Sequence, residues 1–184
     1  FPGQGSQSVG MTKELYDNFS YVKELFIQAN DVLNMSIDKI MFEGPKELID
    51  ETENTQPAIF LSSYAIYNVI KNETSFNLNK ASFFAGHSLG EYSALACSEG
   101  LSFVDTIKLL KIRGNAMQSA VPKNEGGMVA VLGVEINKIY EIFESNINNF
   151  KCFLANDNCN GQAVISGKMD HLNKFVGELK KLNI

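Results

Sequence analysis

The stretch Ser82-Phe83-Phe84-Ala85-Gly86-His87-Ser88-Leu89-Gly90-Glu91-Tyr92 runs from small and apolar residues through a Gly-x-Ser-x-Gly pentapeptide into helix-forming Glu-Tyr-Ser-Ala-Leu-Ala-Cys. This order predicts a strand, a tight turn and a helix, with Ser88 at the apex of the turn. Glycines at 86 and 90 allow the sharp change of direction, and a serine held there in a strained conformation has its hydroxyl exposed. The helix N-terminus behind it offers unpaired N–H groups, above all that of Leu89, to an oxygen that becomes negative when a carbonyl is attacked. Ser88 is the candidate nucleophile, and the pentapeptide taken alone leaves an ordinary loop serine open.

The rest of the composition narrows the classes. A chain of 184 residues with 45% hydrophobic residues can bury a core in one domain, or in one domain with a small insert. A net charge of −5 with dispersed lysines provides no basic stripe to neutralise phosphates, so no nucleic-acid partner is expected. Cys97, Cys152 and Cys159 have no C-x-x-C spacing and are odd in number, which predicts reduced core thiols, neither a disulfide framework nor a metal site. No apolar run reaches membrane-spanning length, and no signal peptide or other targeting segment is present in the sequence. Phe1 and Ile184 read as cut ends of a longer polypeptide.

Working outward from the elbow, Phe1-Pro2-Gly3-Gln4-Gly5-Ser6-Gln7 reads as a glycine-rich turn closing a strand. Helices are expected over 21–33, broken at Asn34-Met35-Ser36, and over 58–70, where Glu53–Thr55 would cap a helix with Pro57 in its first turn. Ser102-Phe103-Val104-Asp105 has the form of a capping box, followed by Phe103, Ile107, Leu110, Gly114 and Met117 at helical spacing. Residues 121–127 form a linker. Beyond it come a strand (128–132), a helix (137–144), strands (150–155 and 162–165) joined by a turn at Asn158-Cys159-Asn160-Gly161, and a helix (169–182). That β-α-β-β-α order is a ferredoxin-like unit short of its last strand.

Arg113 lies three residues after Leu110 and four before Met117, which places a permanent cation on the apolar stripe of its own helix. An arginine snorkelling from the edge of the stripe is one reading. The other is a guanidinium that binds a substrate carboxylate with two parallel N–H bonds, which beside a nucleophilic serine would select a dicarboxylic acyl group.

Several blocks, in order and spacing, resemble malonyl-CoA:acyl-carrier-protein transacylases: Phe1–Gln7, Thr55-Gln56-Pro57-Ala58, Gly86–Glu91, Arg113-Gly114 with Met117-Gln118-Ser119-Ala120-Val121-Pro122, and Gly127-Met128-Val129-Ala130. The resemblance covers essentially the whole chain and is nearer to the discrete enzymes of fatty-acid synthesis than to acyltransferase domains of polyketide synthases. It implies an α/β fold: a hydrolase-like large subdomain with a parallel sheet and nucleophile elbow over 1–122, and an inserted ferredoxin-like small subdomain over 126–184. It further implies ping-pong transfer of a malonyl group from malonyl-CoA through Ser88 to the phosphopantetheine thiol of acyl carrier protein. The backbone N–H groups of Gln4 and Leu89 would form the oxyanion hole and Arg113 would hold the malonyl carboxylate. No bound cofactor and no metal are implied; the expected partners are malonyl-CoA and acyl carrier protein, and the expected state is a monomer in bacterial cytoplasm or an organelle.

Gln56 matches a motif residue near the pocket, with a capping and a substrate-contacting role both open. The family's general base is a histidine after the small subdomain, past Ile184. His87, whose side chain should diverge from that of its neighbour Ser88, and His171, at the start of the last helix, are expected to be structural. A serine hydrolase or thioesterase and a non-catalytic carrier-protein-binding fragment are the rival readings.

Overall fold

The computed structural model describes residues 1–122 and 125–182; Lys123 and Asn124 of the expected linker, and Asn183 and Ile184 at the end, lie outside the described residues. The chain divides into two compact units, Phe1–Ala120 and Val121–Ile184.

The first unit contains α1 (Lys13–Asn18), α2 (Ser20–Leu33), α3 (Ile37–Glu43), α4 (Lys46–Ile49), α5 (Thr52–Glu73), α6 (Gly90–Cys97) and α7 (Phe103–Ala120). In α2 the buried residues Val22, Phe26 and Ala29 recur at spacings of four and three, and Asn34 ends the helix in the left-handed region at φ 51°. The hydroxyl of Ser102 accepts the N–H of Asp105 at 3.0 Å, which caps the start of α7 as its sequence indicates. Residues 54–61 of α5 are buried on every side, so this helix runs through the core; its Phe60 and Leu61 are fully buried, as are Phe26, Met41, Ile107 and Leu110 from the elements around it.

Two expectations fail in this unit. Helix α5 begins at Thr52, so Pro57 lies inside it and has no N–H to give the Glu53 carbonyl. Side chains tie down the early start: Thr55 Oγ1 is 2.5 Å from the Ile49 carbonyl and 3.0 Å from that of Glu51, and Asn54 Nδ2 donates to the Leu48 carbonyl at 3.0 Å. The second correction concerns the elbow. Residues 82–86 form no strand, and the described residues of this unit contain no sheet, parallel or otherwise. Ala85 accepts the N-terminal amine of Phe1 at 2.7 Å, and the His87 N–H donates to the Phe1 carbonyl at 3.0 Å. Those two bonds are one rung of a parallel pair, and a strand requires a ladder of such rungs to satisfy its backbone.

The turn itself is built as expected. Ser88 has φ 54°, in the left-handed region that a non-glycine residue enters at a cost of about 1 kcal/mol. A Cβ placed on Gly86 would lie 1.9 Å from the Gly90 carbonyl carbon, and one on Gly90 would lie 2.4 Å from the Phe1 carbonyl oxygen. Only hydrogen fits at either position.

The second unit runs β1 (Gly126–Leu132), α8 (Ile136–Ser145), β2 (Cys152–Cys159), β3 (Gln162–Lys168) and α9 (Met169–Lys181). The strands form an antiparallel sheet in the order β1-β3-β2. Asn160-Gly161, with Gly161 at φ 81°, is the two-residue connection between Cys159 and Gln162. Strand β2 continues past the apolar run read from sequence, because register shifts after Leu154 and Asp157 interrupt its alternation and let polar residues remain in the ladder. Ile139 and Ile142 of α8 and Leu172, Phe175 and Leu179 of α9 pack with Val131, Ala163 and Ile165 of the sheet.

Two outcomes follow from this packing. Gly90→Val is expected to lower stability by about 1–3 kcal/mol, through a clash with the Phe1 backbone and restriction of the turn; an unchanged melting temperature would refute the contact. Burial pushes the Cys97 thiol up to about 12, whereas Cys159 is exposed. Alkylation of the native protein at about pH 8 should therefore modify Cys159 and spare Cys97, since the thiolate is the reactive form; equal labelling would contradict the burial.

Candidate active site

Three elements of the first unit meet at Ser88. The elbow supplies the serine, α5 supplies Gln56 and α7 supplies Arg113. The Arg113 guanidinium donates from one terminal nitrogen to Ser88 Oγ at 3.1 Å and from the other to Gln56 Oε1 at 2.8 Å. Its carbon lies 5.9 Å from the centre of the Tyr92 ring, within the range of a cation–π contact. Ser88 is exposed, Arg113 and Tyr92 are half-buried, and Gln56 has no exposed surface.

The sequence explains how α7 brings its arginine so close. Gly114 follows Arg113, and a Cβ there would lie 2.7 Å from Glu53 Cα and 2.9 Å from the Thr52 carbonyl. The missing side chain lets α7 approach the backbone of α5's first turn, next to which Gln56 projects. Arg113 sits at the edge of the α7 stripe, whose buried members include Ile107, Leu110 and Gly114; Met117, placed on that stripe by its spacing, is 44% exposed. It acts instead through its sulfur, which accepts Gln56 Nε2 at 3.0 Å.

The guanidinium has five N–H groups. Two are used, and each terminal nitrogen has a second hydrogen to offer a ligand. Among the described residues no carboxylate forms an ion pair with Arg113. Glu53, the acidic residue at the α5–α7 contact, is paired with Lys111 at 3.8 Å.

The opening turn packs directly on the elbow. A Cβ on Gly3 would lie 2.5 Å from His87 Nδ1 and 2.8 Å from the His87 carbonyl, so Gly3-Gln4 is fixed beside His87-Ser88-Leu89. The Gln4 side chain turns to Thr52, where Nε2 donates to the hydroxyl at 3.2 Å. Among the described residues, the backbone N–H groups of Gln4 and Leu89 donate to no protein acceptor. Leu89 is fully buried and stands at the N-terminus of α6, where unpaired N–H groups are expected.

The two histidines have contacts of their own. The His87 ring is packed against Gly3 while its backbone pairs with Phe1, and Nδ1 of His171, in the second unit, accepts the Lys151 N–H at 2.8 Å. No group of His, Cys, Asp and Glu among the described residues is arranged to hold a metal. Ser88 and Arg113 were legible in the sequence as separate candidates, whereas Tyr92 and Met117 were missed. Tyr92 could have been found: it lies four residues after Ser88, in the first turn of the helix the elbow opens, which is where a side chain faces back towards the turn.

The sequence matches the family described as "Acyl transferase domain" over residues 1–184. A malonyl CoA-acyl carrier protein transacylase of Staphylococcus aureus (strain MRSA252) is 41% identical over 183 residues, which cover 99% of this chain and 58% of that protein. The crystal structure of an acyl-carrier-protein-S-malonyltransferase from Bartonella henselae is similar with a TM-score of 0.90 at 42% identity, over 98% of this chain and 58% of that one. A malonyl-transacylase in complex with a type II PKS acyl-carrier protein is similar with a TM-score of 0.88 at 35% identity, over 99% of this chain and 58% of that one. The chain thus spans a little over half the length of the relatives it matches. With its serine turn, its arginine and this match over every residue, the chain belongs to the acyl transferase domain family.

Proposed function

We propose that this chain carries the nucleophile and the acyl-selecting residue of a malonyl-CoA:acyl-carrier-protein transacylase serving fatty-acid synthesis. The observation that carries the reading is the 3.1 Å hydrogen bond between the Arg113 guanidinium and Ser88 Oγ. An acyl group bound to Ser88 begins its chain at the edge of a cation. In a malonyl ester the free carboxylate lies one methylene beyond the ester carbonyl, within reach of the two unused N–H groups on the terminal nitrogens.

Ser88 Oγ attacks the thioester carbonyl carbon of malonyl-CoA, and the carbonyl oxygen takes the negative charge of the tetrahedral intermediate. The N–H groups of Gln4 and Leu89 stabilise that oxygen. The carbon–sulfur bond breaks and CoA leaves as its thiol, having taken the proton that Ser88 gave up. The phosphopantetheine thiol of acyl carrier protein then attacks the malonyl-serine ester, and Ser88 regains a proton. The base in both halves is the histidine that the family resemblance places after residue 184.

On the same reading, residues 1–122 belong to a hydrolase-like large subdomain whose parallel sheet includes the Phe1–Ala85 pairing, and residues 126–184 to an inserted ferredoxin-like subdomain completed by a further strand. The enzyme works without a bound cofactor, as a monomer, in bacterial cytoplasm or an organelle.

Arg113→Ala in the full-length protein tests the assignment. A charge-assisted hydrogen bond contributes about 1.5–3 kcal/mol, so kcat/KM for malonyl-CoA should fall at least about tenfold. Acetyl-CoA has no second carboxylate, and its kcat/KM should change little or rise. Equal losses for both thioesters would make Arg113 a structural residue.

A further inference from the structure

We propose that Gln56 is the positioning residue for Arg113, and that its neutrality keeps the guanidinium's charge available to the carboxylate of the acyl group. The inference rests on the malonyl-transfer reading and adds a specificity device to it.

Gln56 is fully buried, in the second turn of α5, and both ends of its amide are engaged. Oε1 accepts from Arg113 at 2.8 Å and Nε2 donates to Met117 Sδ at 3.0 Å. The orientation of the amide is fixed by chemistry, because a guanidinium cannot accept and a thioether cannot donate. Arg113 and Met117 are four residues apart on α7, so one buried amide holds two successive turns of that helix at the level where Gly114 brings it against α5. The guanidinium is thereby turned towards Ser88 instead of being free to extend into solvent.

An acidic residue at position 56 would hold Arg113 by a stronger, charge-assisted pair, which is the usual partner for a buried guanidinium. It would also cancel the field a substrate carboxylate must feel. An amide anchors the cation while leaving its charge whole. Glu53, an acidic side chain at this helix crossing, is paired with Lys111 at 3.8 Å and not with Arg113. Among the described residues, the cation is held by a hydroxyl, an amide oxygen and the ring of Tyr92, all of them uncharged.

The test compares kcat/KM for malonyl-CoA and acetyl-CoA in the full-length protein with Gln56→Glu, Gln56→Leu and Arg113→Ala, alongside the melting temperature of each. Gln56→Glu should lower malonyl transfer at least about tenfold, the loss of one charge-assisted contact, with acetyl transfer within about threefold of the parent. Gln56→Leu keeps the charge and removes the anchor, so its malonyl-to-acetyl ratio should fall between those of the parent and Gln56→Glu, through a raised KM for malonyl-CoA. If Gln56→Glu does not fold, Gln56→Leu decides alone, and an unchanged ratio in it overturns the proposal. An unchanged ratio in Gln56→Glu, with a lowered one in Arg113→Ala, overturns the role of Gln56 and leaves the malonyl reading standing. An unchanged ratio in Arg113→Ala overturns both.

Discussion

The two hydrogen bonds of the Arg113 guanidinium, to Ser88 Oγ at 3.1 Å and to Gln56 Oε1 at 2.8 Å, tie together the three elements on which the site depends. A half-buried cation without a carboxylate partner is costly unless neutral dipoles solvate it. Here the hydroxyl of the elbow, the amide of α5 and the ring of Tyr92 do so. A site that stabilises a cation by dipoles alone has a standing preference for an anionic ligand, and the serine hydroxyl lies beside that cation. The candidate nucleophile and the cation are coupled through one hydrogen bond.

That coupling is possible because three close approaches exclude side chains. Gly114 brings α7 onto the first turn of α5, Gly90 brings α6 onto Phe1, and Gly3 brings the opening turn onto His87. Each contact involves backbone, which cannot move aside as a flexible side chain can, so the glycines set distances in the site and not merely local conformations. The early start of α5, held by Thr55 and Asn54, belongs to the same arrangement, because it is the backbone of Thr52 and Glu53 that Gly114 meets.

Much of this was legible in the sequence, for identifiable reasons. The Gly-x-Ser-x-Gly spacing states a steric requirement that the structure reproduces at φ 54° for Ser88. The order of elements in the second unit follows from amphipathic periods that survive in α8 and α9 and from the Asn160-Gly161 turn. What escaped depends on partners that a local pattern does not name. Whether residues 82–86 become a strand depends on partners for their backbone, and the apolar run carries no information about them. Pro57 looked like a helix start because proline favours first turns, yet side-chain hydrogen bonds from Thr55 and Asn54 back to the carbonyls of Ile49 and Leu48 hold the helix ahead of it, and no residue pattern within 53–57 announces them. Gln56 and Met117 could be quoted as motif residues, but their bond to each other spans two helices and has no one-dimensional signature.

The most direct measurement of the central claim is to quench the full-length protein seconds after mixing with malonyl-CoA, digest it, and locate the acyl group by mass spectrometry. A malonyl ester on the peptide containing Ser88, removed when the thiol of acyl carrier protein is added before quenching, is the predicted result. A malonyl group on any other side chain, or none on the protein while acyl carrier protein is malonylated, would show that transfer does not pass through the elbow serine and would contradict the account.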